Sequence, residues 1–285
     1  MSETEAENTE PGAPRKAILV AAFEGWNDAG DAATTAVEHL QLIWDAAPLT
    51  ELDPDDYYDF QVSRPTVRMV DGITRSIEEP TTRVTRATPP DSETQVLLLH
   101  GLEPNMRWRQ FCGEIISLAE KYEVSMLVTL GALLADTAHT RPIPVSGAAH
   151  DTDSAKRFGL ARSEYEGPTG IVGVLQDACV RAGIPAVSFW AAVPHYVSQP
   201  PSPKATIALL RRVEDLLGTP VSLSSLPDQA REWEQTVSEM IAEDEEVAEY
   251  VRGLEERGDA EPPMDEVSGD EIARQVEQYL RRRDE

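Results

Sequence analysis

Four short apolar runs punctuate the chain: residues 17–23 (AILVAAF), 95–100 (QVLLLH), 124–131 (VSMLVTLG) and 186–193 (AVSFWAAV). Runs of this length, bounded by Gly, Pro or polar residues, predict strands buried on both faces. The segments between them have a different period. In residues 29–47, Ala33, Ala36, Val37, Leu40, Ile43, Trp44 and Ala47 recur at i, i+3 and i+4. Phe111, Ile115, Leu118 and Tyr122 do the same in 106–122, as do Ile207, Leu210, Val213, Leu216 and Leu217 in 204–217. These spacings predict amphipathic helices, and residues 170–182 read as another. Strands alternating with helices predict an α/β fold with a central, mostly parallel sheet covered on both faces.

Weaker patterns fill the gaps. Residues 48–58 read as a turn-rich connection. Three short strands are expected near 67–70, 73–77 and 82–86. They carry Thr, Val and Arg instead of continuous apolar residues, which suits antiparallel or edge strands and makes the sheet mixed. Asp71-Gly72 is a hairpin signal between the first two. The Pro- and Gly-marked stretch 141–149 reads as a short strand or a loop. From Ser224 onward the apolar stripe Trp233, Val237, Met240, Ile241, Val247, Val251 and Leu254 predicts one amphipathic helix. Ile272, Val276, Tyr279 and Leu280 predict a second, beyond a loop at 258–269 with Pro262 and Pro263. The expected division is an acidic disordered tail over 1–15, an α/β domain over 16–223 and a helical extension over 224–285.

Charge narrows the function classes. The 285 residues hold 51 acidic and 25 basic side chains, a formal charge of −26, half of which lies in 224–285. Nucleic acid and anionic lipid both require a basic surface, so neither is an expected partner. Cys112 and Cys179 sit in apolar helical stretches without CxxC spacing and read as packed core thiols. The start of the chain lacks the basic and apolar regions of a signal peptide, and no apolar run reaches the roughly 20 residues of a membrane span, so a cytoplasmic protein is expected.

Candidate chemistry follows from where strands end, because open α/β sheets bind ligands outside the carboxyl ends of their strands. The first run leads into Glu24, Trp26, Asn27 and Asp28, and the second into His100 and Glu103. Asp136, His139 and Arg141 follow the third, and His195 and Tyr196 the last. Imidazoles and carboxylates gathered at one rim could perform acid–base chemistry. Gly167-Pro168-Thr169-Gly170 precedes an apolar helix, either as an anion-binding turn or as a tight turn with Thr169 as N-cap. Capping a turn is the competing role for each of the other residues. No P-loop, GxGxxG, GxSxG or HExxH pattern occurs, and Ser125 and Ser188 lie within strands. Neither a cofactor nor a metal is expected.

The same residues carry a family likeness. Gly25-Trp26-Asn27-Asp28-Ala29-Gly30 resembles the opening motif of the proteasome assembly chaperone two (PAC2) family. Further matching motifs are Gly101-Leu102-Glu103-Pro104 with Trp108 and Phe111, and Leu130-Gly131-Ala132 with His139-Thr140-Arg141-Pro142. Tyr165-Glu166-Gly167-Pro168-Thr169-Gly170 and the stretch from Ser188 to Tyr196 complete the set. The likeness spans residues 16–217, with a helical tail typical of the actinobacterial branch. It implies a three-layer αβα sandwich similar to the phosphorylase/hydrolase-like fold, and self-association, with a trimer expected. It also implies a non-catalytic interaction role, as chaperone or adaptor, with proteasome subunits as partners. The alternative is a small-molecule protein or phosphorylase/hydrolase-like enzyme that takes a nucleoside or phosphorylated metabolite through the strand-end His, Glu and Asp residues.

Overall fold

A computed structural model describes residues 17–70, 74–149, 151–162 and 166–260. The expected N-terminal tail, the Asp71-Gly72 turn, Tyr165 and the second tail stripe lie outside the described residues.

The four apolar runs form the middle of the sheet. They are β1 (Ala17–Glu24), β6 (Val96–Leu102), β7 (Val124–Ala135) and β10 (Ala186–Pro194). They lie side by side in the order β6-β1-β7-β10, all parallel. Their continuous hydrophobicity has a direct cause. Alternate side chains of a strand point to opposite faces, and here both faces are cores. Leu19, Ala21 and Phe23 of β1 pack with α3 (Trp108–Lys121) and α5 (Ile171–Arg181). Val20 and Ala22 pack with α1 (Ala32–Ile43) and α6 (Pro203–Leu217) on the other side. The result is a three-layer αβα sandwich.

Antiparallel strands flank this parallel centre. β2 (Ala47–Glu51) and β5 (Thr82–Ala87) extend it beyond β6, while β8 (Val145–Ala149) and the two-residue β9 (Ala161–Arg162) extend it beyond β10. The mixed sheet has eight strands among the described residues. Among the described residues, β3 (Thr66–Val70) and β4 (Thr74–Glu78) pair only with each other, as a separate antiparallel sheet.

Several local expectations change. The predicted helix over 29–47 is a 3-10 turn at Ala29–Asp31 followed by α1, which stops at Ile43. Asp45, at φ 47°, turns the chain, and 47–51 become an edge strand instead of a connection. Its residues APLTE carry little β signal, so pairing with β5 decides their state. Two short helices, α2 (Pro54–Tyr57) and α4 (Thr152–Phe158), stand where none was predicted, each capped by an aspartate, Asp53 or Asp151. The first tail stripe is divided between α7 (Leu226–Ala242) and α8 (Glu245–Ala260). α7 packs on α6, and α8 packs on α7. Among the described residues, no helix is long and apolar enough to cross a membrane.

Candidate functional site

The carboxyl ends of the central strands do gather polar groups, but in three separate clusters. The first surrounds the N-termini of α1 and α5. Asp28, 4% exposed, accepts hydrogen bonds from the backbone N–H of Ala33 at 2.6 Å and of Thr34 at 3.1 Å, and from the Thr34 hydroxyl. Its carboxylate thus satisfies the open N–H groups of α1 and complements the positive end of the helix dipole. Burial nevertheless pushes its pKa up to about 6, against the lowering effect of those hydrogen bonds. Glu103 caps the N-terminus of α5. Its Oε1 accepts from Ile171 N–H at 2.8 Å and from Asn27 Nδ2 at 3.2 Å. Asn27 is itself buried, and its carbonyl accepts from Ala132 N–H at 2.8 Å, which fastens the loop after β1 to β7.

This corrects the expectation for Thr169. The N-cap residue of α5 is Gly170, and the acceptor comes from Glu103, 68 positions away in sequence. A side chain at residue 170 would place its Cβ 2.7 Å from Glu103 Oε1, so glycine permits the close approach. The helix N-terminus that could have received an external anion already faces a carboxylate of the chain. Trp26, 36% exposed, stands on the open side of the same loop.

The second cluster lies at the ends of β1 and β6. His100 pairs in register with Ala22 on one side and Arg83 on the other. Burial, and then the Arg83 charge, hold its pKa below the ordinary histidine value. Its Nδ1 is buried without a hydrogen-bond partner. Glu24 is pushed up by burial and by the nearby Glu38 and Asp31 charges, with Arg83 opposing.

The third cluster lies beyond β7 and β10, under the tail helices. His139 is 2% exposed. Its Nδ1 is 3.0 Å from Tyr196 Oη and its Nε2 is 2.9 Å from Ser238 Oγ, while its backbone N–H donates to the same Tyr196 oxygen at 2.8 Å. Ser238 donates to the Glu234 carbonyl at 2.8 Å. One arrangement satisfies every partner. Tyr196 donates to Nδ1, the protonated Nε2 donates to Ser238, and Ser238 donates onward. The basic lone pair of the ring is then occupied by Tyr196, so His139 does not activate the Ser238 hydroxyl. Burial and the Lys204 cation lower its pKa, with Glu234 and Glu255 opposing. Lys204 bridges the His139 carbonyl and Glu234 at 2.5 Å, and Thr140 bonds Glu255. Asp136 lies 3.3 Å from His195 Nδ1. Tyr250 of α8 packs edge-on against the rings of His195 and Tyr196. Arg141 is exposed at the start of the segment leading to β8.

His139 and His195 therefore share a neighbourhood through Tyr196, whereas His100 belongs to a different one. It sits three strands from β10 in the sheet order, roughly 14 Å at the usual strand spacing. The partners that complete these clusters, Thr34, Arg83, Lys204, Ser238 and Tyr250, had no sequence signal beyond helical or strand position. Among the described residues, no group of three or more His, Cys, Asp and Glu is placed to hold a metal ion. Cys112 and Cys179 are buried, and burial pushes their thiols up to about 11 and about 12, well away from a reactive thiolate.

Comparison with known proteins adds the family. The model of the PAC2 family matches residues 22–241. A proteasome-assembly chaperone homologue of Mycobacterium tuberculosis is 61% identical in sequence, over 82% of this chain and 99% of that one, with a TM-score of 0.76. A PAC2 family protein of Streptomyces avermitilis is 54% identical over 83% and 100%, with a TM-score of 0.78. An archaeal proteasome activator of Pyrococcus furiosus, at 16% identity over 81% and 96% and a TM-score of 0.65, shares the fold. No curated protein sequence matches the chain. Motifs, fold and actinobacterial relatives agree, and the chain belongs to the PAC2 family.

Proposed function

We propose that this protein is a non-catalytic interaction factor of the cytoplasm, a chaperone or adaptor that assists assembly of the proteasome. Family membership supports the reading, as does the homology of its M. tuberculosis relative to proteasome-assembly chaperones. The observation that carries it is the employment of the strand-end groups. Asp28 and Glu103 cap α1 and α5, and His139 and Tyr196 are engaged in holding α7. Acid–base catalysis needs such groups free to reach a substrate. The test is assembly of purified actinobacterial proteasome α-subunits with and without the chain, followed by size-exclusion chromatography and native mass spectrometry. A complex with α-subunits, or faster ring formation, is expected. Neither binding nor acceleration, at micromolar concentrations of both proteins, would refute the role.

A second reading has one specific observation behind it, the orphaned Nδ1 of His100 beside Arg83 and Glu24. An imidazole and a guanidinium suit a phosphate or carboxylate. In this reading the cluster binds a small phosphorylated metabolite or nucleoside. Thermal shift against nucleosides, nucleotides and inorganic phosphate tests it. A melting temperature that does not move at millimolar ligand would eliminate it.

A further inference from the structure

The tail helices begin in the core and end on polar contacts. At the start of α7, Leu226 belongs to the core between the sheet and the α1–α6 layer. Further along the footing changes. Ala230, Val237, Val251 and Leu254 are buried, yet they belong to neither core. The contacts that join the second half of α7 and α8 to the domain include His139 with Ser238, Lys204 with Glu234 and Thr140 with Glu255. Tyr250 adds its edge-on packing against the rings of His195 and Tyr196. The outer side of α8 turns Glu245, Glu246, Glu249 and Glu256 to water. Segments with few apolar contacts open at a free energy well below that of global unfolding.

His139 sits at the centre of this closure. Its ring is enclosed by Tyr196 Oη on Nδ1, Ser238 Oγ on Nε2 and the Trp233 ring of α7 packed edge-on. The charged and titratable groups facing it come from four elements. They are Lys204 of α6, Glu234 of α7, Glu255 of α8 and Tyr196 of the 3-10 turn His195–Val197. A second ring proton would make Nδ1 a donor and aim it at the hydrogen that Tyr196 now presents. It would also put a cation near the Lys204 ammonium, in a site closed to water. Glu234 and Glu255 attract that cation, but Glu234 is already paired with Lys204 and Glu255 with Thr140. Burial and Lys204 prevail, so the closed site disfavours the proton. An open site returns the ring to water and to its ordinary pKa of 6.5.

We propose that the second half of α7 together with α8 is a strap, which neutral His139 holds shut and which acidification opens. The closed state binds the proton more weakly than the open one. Closure is therefore fully present above pH 6.5 and declines as pH falls below it. Opening uncovers the carboxyl ends of β7 and β10, where His139, His195 and Tyr196 meet. The strap does not depend on any role in proteasome assembly, and its test contains no proteasome component.

Hydrogen exchange of the full chain, read by mass spectrometry and corrected for the intrinsic pH dependence of amide exchange, measures the opening of each helix. Between about pH 7.5 and about pH 5.5, opening of α8 should rise up to about tenfold while α3 stays unchanged. His139→Gln should abolish the response. Lys204→Met should shrink it, because the closed site then tolerates the proton better. His195→Gln should leave it in place, since that side chain is 42% exposed with the strap shut. In the wild type, the carbon-13 resonance of the His139 ring should titrate below pH 6.5. Opening of α8 that is indifferent to pH overturns the proposal, as does a rise shared equally by α3. So does a response that survives His139→Gln, vanishes in His195→Gln or keeps its full size in Lys204→Met. A His139 ring that titrates at or above pH 6.5 overturns it without any variant.

Discussion

Asp28 offers the sharpest test of whether a strand-end carboxylate serves the fold. Replacing it with alanine strands the N–H groups of Ala33 and Thr34 and the Thr34 hydroxyl at a site that is 4% exposed. Loss of a capping side chain costs about 1 kcal/mol, and leaving a buried donor unsatisfied costs about 1–3 kcal/mol. Asp28→Ala should therefore lose about 3–4 kcal/mol, a fall of roughly 10 °C in Tm for a chain of this size. Asp28→Asn, which keeps one carbonyl acceptor and cannot ionise, should lose less. Its deficit should also vary with pH. The folded-state pKa of about 6 lies above the ordinary 3.8, so the folded protein binds the extra proton between those values. Wild-type stability from this group is therefore fully present below about pH 3.8 and declines as pH rises through about 6. The interval corresponds to at most about 3 kcal/mol. The gap between wild type and Asp28→Asn should be wide near pH 4.5 and should narrow toward pH 7. Urea unfolding followed by tryptophan fluorescence at several pH values measures both effects. A gap that stays constant over that range would refute the electrostatic account. An alanine variant within 1 kcal/mol of wild type would refute the capping account as well.

Glu103→Ala should destabilise the fold by about 1–2 kcal/mol, because α5 loses its acceptor at Ile171 and Asn27 loses its partner; chemical denaturation of this variant beside Glu103→Gln checks it. His139 is held below its ordinary pKa of 6.5, so its contribution to stability is present above that pH and declines as pH falls through and below it, since the unfolded chain takes up the proton first. Amide exchange in α7, compared between wild type and His139→Gln, should show protection lost toward pH 5.5 in the wild type only; equal pH dependence in both would exclude the imidazole as the cause. Gly131→Ala should lose about 1–3 kcal/mol, since its Cβ would lie 2.6 Å from the Trp190 ring, and a Tm equal to wild type would contradict that packing.

Much of the architecture could be read without coordinates. Runs such as AILVAAF and QVLLLH are apolar at every position because their strands have helices on both sides. Helical periodicity located α1, α3, α5 and α6 to within a few residues, except at the C-terminal end of α1. The alternation of the two patterns predicted the parallel centre of the sheet. These are properties of side chains a few positions apart, which the sequence carries directly. The strand state of APLTE is of another kind, because it rests on hydrogen bonds to β5, whose paired residues lie 32 to 39 positions further along the chain.

The same division holds for the candidate site. The sequence alone determined that Asn27, Asp28, His100, Glu103, His139 and His195 stand at or after the ends of apolar runs. Only the tertiary structure decided which of them meet. It put Glu103 on the N-terminus of α5, and it joined His139 to Ser238 across 99 positions. It separated His100 from His139 and His195 and left Val67, Met69 and Ile77 of the β3–β4 hairpin exposed. The physical reason is range. Periodicity is fixed by the backbone geometry of neighbouring residues, whereas a hydrogen bond between distant segments exists only once packing has brought both to the same point and excluded the water that would otherwise satisfy them.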